Sequence, residues 1–190
     1  WCYVNNFIEP RNPIVLELPA GKGVVVQKSM TKLWRAISRA VQASFQHESY
    51  VGRVEGLKAT LTQAQQDELQ DLALEAEKRQ LKLVLRTPGG HGFSPTTPEG
   101  EVMNIDAFNA LTIDDQQQRK TAMHDMEKRL QKLADRLGRM EDQNRDQVQK
   151  LNDEVTLAAI EPLIKKLKTQ YEDLTSLVSY LSSYQQDIIE

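Results

Sequence analysis

The sequence predicts a mainly α-helical fold with a small β component, built around a long antiparallel, coiled-coil-like helical hairpin. Between Met126 and Met140, apolar residues recur at alternating steps of four and three, which is a heptad pattern. Aromatic residues make up 6% of the chain and charged residues 27%, a composition that suits helices burying only a narrow seam. The alternating stretch 81–86 breaks the helical period and predicts a β-strand.

The N-terminal stretch 1–19 is predicted to be extended. Two prolines within 9–13 indicate a turn, because they fix φ and remove hydrogen-bond donors, and a second strand is expected over 14–18. The opening residues Trp1-Cys2-Tyr3-Val4 resemble the middle of a strand, whereas a natural N-terminus is usually polar and loose. We therefore expect the chain to be a segment of a longer protein, and the alternative is a processed mature chain.

Apolar spacing then predicts the first helices and a hairpin. One helix is expected over about 28–46 and a second, with a thin apolar stripe, over about 50–80. After the strand at 81–86, the glycine-rich stretch 87–92 is predicted to be a turn, and a return strand begins at 93–95.

The C-terminal half is predicted to be almost entirely helical. Asn104 is expected to cap a short helix, and the longest helix begins at Thr112 or Asp114. Pro162 is expected to kink this helix or to start a new one. The last segment, 163–188, is expected to form a broad amphipathic helix that packs on the first helix and the strands.

These elements suggest two domains. A small α/β base would combine 1–46 with 160–190, and a helical arm would occupy 47–159, with a β tip at about 81–105. The alternative is a compact helical bundle.

A search for reactive chemistry gives no site. The stretch from Lys22 to Ser29 approaches a phosphate-binding loop, but Lys22 and Gln27 occupy both required glycine positions, so Lys28 and Ser29 are expected to open a helix instead. The three histidines lie at no metal-ligand spacing. We therefore predict no catalytic, cofactor-binding or metal-binding residue in this chain.

Charge and cysteine content narrow the expected environment. The net charge of −3 argues against a nucleic-acid partner, and the basic cluster Lys165-Lys166-Lys168 is expected to be a solvated face. No apolar run approaches the roughly 20 residues of a membrane span. The single cysteine, Cys2, fits a reducing compartment. We predict a cytoplasmic protein that engages neither nucleic acid nor membrane.

Several stretches resemble the AAA-type region of bacterial Lon-like ATP-dependent proteases. The N-terminal part of the likeness is Trp1 to Phe7, Pro10, the Leu-Pro-Ala-Gly segment within 16–23, Met30 and Leu33. The remainder is Leu85-Arg86-Thr87-Pro88 with Phe93, and Tyr171, Leu174, Val178, Tyr180 and Leu181.

The resemblance implies a helical insertion segment. A Walker A-like loop would lie upstream of this chain, and a Walker B region and a Ser-Lys protease domain downstream. It also implies a hexameric ring whose other subunits are partners, unfolded or damaged proteins as substrates, and ATP with Mg²⁺ as cofactors of the parent protein only.

The function expected from this context is a non-catalytic, substrate-engaging or gating helical arm. Leu83, Leu85 and Phe93 are the predicted substrate contacts at the β tip, and the alternative is that they form a structural cluster that closes the tip. The alternative function is a coiled-coil assembly or scaffold module that holds subunits together. A standalone nucleotide-binding enzyme is disfavoured by the failed phosphate loop.

Overall fold

The computed structural model describes residues 1–86 and 90–189, and nothing is stated about the side chains of Leu85 and Arg86. Helices dominate, and the two small sheets are both antiparallel pairs, so the predicted mainly α class with a small β component is confirmed. The elements are, in order, β1 (Cys2–Val4), β2 (Ile14–Leu16), α1 (Lys22–Gln46), α2 (Glu48–Lys78), β3 (Leu81–Arg86), β4 (Gly90–Pro95), α3 (Ile105–Asn109), α4 (Ile113–Gln170) and α5 (Thr175–Ile189).

The chain divides into two compact units. The terminal unit combines Trp1–Gly56 with Asp146–Glu190, and the central unit is Leu57–Arg145. The division into a base of residues 1–46 with 160–190 and an arm of residues 47–159 stays a prediction. Each unit has its own core of buried apolar residues.

The core of the terminal unit joins α1, α5, the C-terminal part of α4 and the β1–β2 pair. Strand pairing sets Cys2 opposite Leu16 and Val4 opposite Ile14, and these four residues face the core. The prediction that the C-terminal segment packs on the first helix and the strands is confirmed. The buried members are Leu16, Val26, Leu33, Ile37, Ile160, Ile164, Leu167, Tyr171, Leu177 and Leu181.

Helix α1 begins at Lys22, six residues before the predicted start at 28. Three consecutive valines at 24–26 are poor helix formers, but Val26 is buried in the core, and this burial outweighs its low propensity. Gly23 lies so close to β1 that an added Cβ would be 2.9 Å from the Cys2 Sγ atom. Lys28 and Ser29 therefore lie inside the helix, and the prediction that they open it was wrong.

Helix α4 continues through Pro162 to Gln170, so Pro162 does not start a new helix. Ile160 and Ile164 on either side of it are almost fully buried, which holds the chain helical despite the lost hydrogen bond. The break comes later, between Tyr171 and α5, so the single broad helix expected over 163–188 is two helices. At that break the Tyr171 hydroxyl lies 2.9 Å from Ser29 Oγ on α1.

In the central unit, α2 and α4 pack antiparallel, as predicted from the order of helix, β-hairpin and returning helix. Residues later in α2 contact residues earlier in α4, which is the pattern of antiparallel helices. The polar contacts are Leu57 O with Asn144 Nδ2 at 3.0 Å, Gln65 Nε2 with Glu141 at 3.0 Å, Glu68 with Arg136 at 2.9 Å, and Glu75 with Arg129. The apolar contacts include Leu72, Ala76, Met126 and Leu133, which are all buried.

Candidate functional site

The β3–β4 hairpin is the predicted β tip, and it lies within the central unit. The strands pair antiparallel from Leu81 opposite Pro95 to Arg86 opposite Gly90. The predicted turn over 87–92 was therefore too long, because Gly90 to Gly92 belong to β4. The remaining turn residues, 87–89, lie outside the described residues.

One face of this hairpin packs into the helical core. Leu81 and Phe93 are 0% exposed and join the buried cluster that includes Ala76 of α2 and Met126 of α4. Leu83, opposite Phe93, is partly buried against the same cluster. This burial favours the alternative that the apolar tip residues close the structure, and substrate contact by Leu83, Leu85 and Phe93 stays a prediction. The side chain of Leu85 lies outside the described part of the chain.

The junction from α2 to β3 is fixed by an arginine from α4. Gln80 has a φ of 55°, a left-handed conformation that is uncommon for residues other than glycine. Arg119 donates to the backbone oxygens of Gln80 at 3.3 Å and Thr96 at 3.0 Å, and to Gln80 Oε1 at 2.9 Å. One guanidinium group therefore joins the start of β3 to the end of β4 and holds the hairpin on α4.

The chain leaves β4 through a tight turn. Gly100 N donates to Thr97 O at 2.9 Å, and Thr97 N donates to Glu101 O at 2.8 Å. Gly100 has a φ of 84°, which is the left-handed conformation that follows a type I turn in a three-residue hairpin loop. The returning chain then donates from Met103 N to Pro95 O at 2.8 Å, so it covers the end of β4.

We expect substitution of Thr97 by Val to raise the pKa of Glu99. Hydrogen bonding from the Thr97 side chain, and then from the Glu99 backbone, holds the pKa of Glu99 below its ordinary value. The lowered pKa means that this interaction stabilises the fold above the unfolded-state pKa, and that the stabilisation is lost as pH falls through the folded pKa. A carboxyl NMR titration checks this, and an unchanged Glu99 midpoint in the variant would contradict it.

Three aliphatic side chains are exposed between β4 and the start of α4. Val102 is 48% exposed, Ile105 74% and Ile113 85%; we call these three the aliphatic set. Ile105 and Ile113 are the first residues of α3 and α4. Asn104 caps α3 by accepting from Ala107 N, as predicted. Thr112 Oγ1 accepts from Asp115 N at the start of α4, where a helix start at Thr112 or Asp114 was predicted.

Sequence reasoning missed the aliphatic set, because it searched for strand alternation. The sequence does hold a signal for the exposure of the two isoleucines. Ile105 and Ile113 directly follow Asn104 and Thr112, so each lies in the first turn of its helix, before the apolar residues that pack against the core begin. In contrast, Leu83 and Phe93, the predicted contacts, lie on the face of the hairpin that packs against the core.

Among residues 1–86 and 90–189, no group of three His, Cys, Asp or Glu side chains could hold a metal ion. Within the same ranges, every buried side-chain nitrogen or oxygen has a hydrogen-bond partner. No helix in the described part of the chain has the length and apolar character that a membrane crossing requires.

Comparison with known proteins gives a match to a family model, over part of the chain. No curated protein and no solved structure matches the chain. A family model described as the Lon-like LonC helical domain matches residues 1–33, which hold β1, β2 and the first half of α1 in the terminal unit. Over residues 1–33, the chain is therefore similar to the helical domain of Lon-like LonC proteases.

Proposed function

We propose that this chain is a non-catalytic part of an ATP-dependent Lon-like serine protease, in which it engages or gates unfolded protein substrates. The match over residues 1–33 and the mainly helical fold support a place in such a protease. The AAA-type region around this segment, ATP as a cofactor of the parent, a hexameric ring and a cytoplasmic location belong to the same proposal.

The exposed aliphatic set is the observation that carries the substrate-engaging role. Unfolded chains expose apolar side chains that folded proteins bury, and removing apolar surface from water contributes about 25 cal/mol per Å². Ile105 and Ile113 are mostly exposed, so a bound chain could cover them without disturbing the buried cluster under the hairpin. Their burial by a substrate is favourable in itself, and it requires no particular substrate sequence.

The double substitution Ile105→Ser and Ile113→Ser tests this role. We expect casein to bind the variant about tenfold more weakly, which corresponds to about 1.4 kcal/mol, because two apolar contacts are lost. Fluorescence anisotropy of labelled casein measures the dissociation constant. The thermal midpoint should change little, since both side chains are exposed.

Ile8→Ser is the matched control. Ile8 is 92% exposed and lies in the terminal unit, so its substitution removes the same type of side chain from a unit that does not contain the aliphatic set. Casein should bind this variant like the unsubstituted chain. Equal dissociation constants for the control and the double variant would contradict the proposed contact.

The alternative is a coiled-coil assembly module that holds subunits together. The seam of the central unit argues against assembly through the heptad stripe, because that stripe already packs on α2. Light scattering over a range of concentrations tests the alternative. A mass that rises to a stable oligomer would favour it, and a concentration-independent monomer would contradict it.

A further inference from the structure

Helix α1 differs from the rest of the chain in its charge. Lys22–Gln46 contains five lysine and arginine residues and no aspartate or glutamate. The whole chain, in contrast, has a net charge of −3. Helix α1 therefore has a net charge of +5, while the other residues together have a net charge of −8.

Four of these cations lie on one side of α1. Lys28, Lys32, Arg35 and Arg39 are separated by steps of four, three and four, and all four are exposed. The buried residues Val26, Leu33 and Ile37 lie on the opposite side of the helix. With a rise of about 1.5 Å per residue, the four cations form a basic stripe about 16 Å long.

The four cations of the basic stripe form no ion pair with a carboxylate of the described residues. Lys28, Lys32, Arg35 and Arg39 take part in none of the ion pairs there, whereas Arg53 pairs with Glu154 at 3.0 Å and Arg136 with Glu68 at 2.9 Å. Like charges three or four residues apart on a helix repel one another. Helix α1 also has no acidic residue in its first turn and no basic residue in its last turn, so its charges do not stabilise the helix dipole. Stability of the helix itself therefore does not account for the stripe.

We propose that the basic stripe binds an acidic segment of an extended polypeptide. An extended chain advances about 3.3 Å per residue, so a segment of about five residues spans the stripe. The cations at the stripe attract carboxylates, and its exposed, convex form admits a chain without any opening of the core. This proposal rests on the proposed function in one respect, which is that the partner is a polypeptide. It adds that the basic stripe prefers polypeptide segments rich in acidic residues.

Other polyanions fit the stripe less well. The apolar face of α1 is already buried in the core, so it cannot insert into an anionic lipid surface in the manner of an amphipathic helix. A nucleic-acid duplex extends well past a 16 Å stripe and would meet the net negative charge of the remaining chain. A short acidic peptide matches the stripe in both length and charge.

The test uses a labelled peptide with five consecutive glutamates flanked by glycine and serine, and its counterpart with five glutamines. We expect the glutamate peptide to bind at least tenfold more tightly than the glutamine peptide. The double charge reversal Lys32→Glu and Arg35→Glu should remove this preference. Fluorescence of Trp34, which is 59% exposed and next to Arg35, should change on binding of the glutamate peptide.

Lys165→Glu with Lys166→Glu is the matched control, because it makes the same change in net charge on another exposed basic cluster. The control should keep the preference for glutamate within about twofold. An equal loss in both double variants would overturn the proposal, since it would show a response to net charge alone. Tighter binding of a DNA duplex than of the glutamate peptide would also overturn it.

The variant Ile105→Ser with Ile113→Ser separates this proposal from the proposed function. It should bind the glutamate peptide normally, because neither residue lies in the terminal unit. Normal casein binding by that variant together with a retained glutamate preference would contradict the role of the aliphatic set and leave the basic stripe supported. Loss of the glutamate preference in that variant would overturn a site on α1.

Discussion

Substitution of Phe93 by Ala is expected to lower the free energy of unfolding of the central unit by about 3–5 kcal/mol. Phe93 is 0% exposed, and it packs in one cluster with Leu81, Ala76 and Met126. Removal of the ring takes away its transfer free energy and leaves a cavity that β4 and the two helices cannot fill without moving. The loss should therefore be among the largest for any single side chain of this unit.

Urea unfolding followed by circular dichroism measures this change. Phe93→Leu is the graded comparison, because it keeps most of the apolar volume and should cost less than about half as much. A loss below about 1 kcal/mol for Phe93→Ala would contradict the packing of the ring. Phe93 is also a predicted substrate contact. The stability of Phe93→Ala is therefore measured before its casein binding, because unfolding of the hairpin would also reduce binding.

Substitution of Leu181 by Ala is expected to destabilise the terminal unit by about 2–5 kcal/mol. Leu181 is 0% exposed and belongs to the cluster that holds α5 against α1 and α4. Leucine and alanine both favour helix, so the loss reports tertiary packing and not helix propensity. We expect α5 to detach from its partners before the rest of the unit unfolds.

Leu157→Ala is the control for this substitution. Leu157 lies on α4 and is 37% exposed, so the same chemical change should lower the free energy of unfolding by only about 1 kcal/mol. Hydrogen exchange of α5 amides should be faster in Leu181→Ala than in the control. Equal protection of α5 in both variants would contradict the anchoring role of Leu181.

Helix spacing in the sequence predicted the main framework, because a repeated apolar stripe reports which side of a helix is buried. The helix that carries the heptads from Met126 onward, the strand at 81–86 and the cap at Asn104 are all present, and α4 begins at Ile113, between the two predicted starts. Local rules failed where tertiary burial outweighed them. The start of α1 through Val26 is held by neighbouring core residues that no local pattern identifies. At Pro162 a kink or a new helix was expected, and only the new helix was wrong, because α4 continues to Gln170.

The candidate site was less predictable than the framework. Alternation along β3 placed Leu83 on its apolar face, and Phe93 was expected to begin the return strand. A pattern within one strand does not show whether its apolar face meets a helix or the solvent. The answer depends on Ala76 and Met126, which are distant in sequence from each other. The exposure of Ile105 and Ile113 was equally hard to predict, because it depends on where α3 and α4 begin relative to the core.

The antiparallel pairing of α2 with α4 limits how the length of this protein can change during evolution. A deletion of seven residues between Gln65 and Glu75 would remove Glu68, so Arg136 would lose its partner unless α4 lost a matching segment. An insertion in one helix alone would likewise shift every later contact, including that of Asn144 with Leu57. Homologous chains should therefore differ in length by paired heptads, one in each helix, and sequence alignments that place single gaps in this region should be wrong.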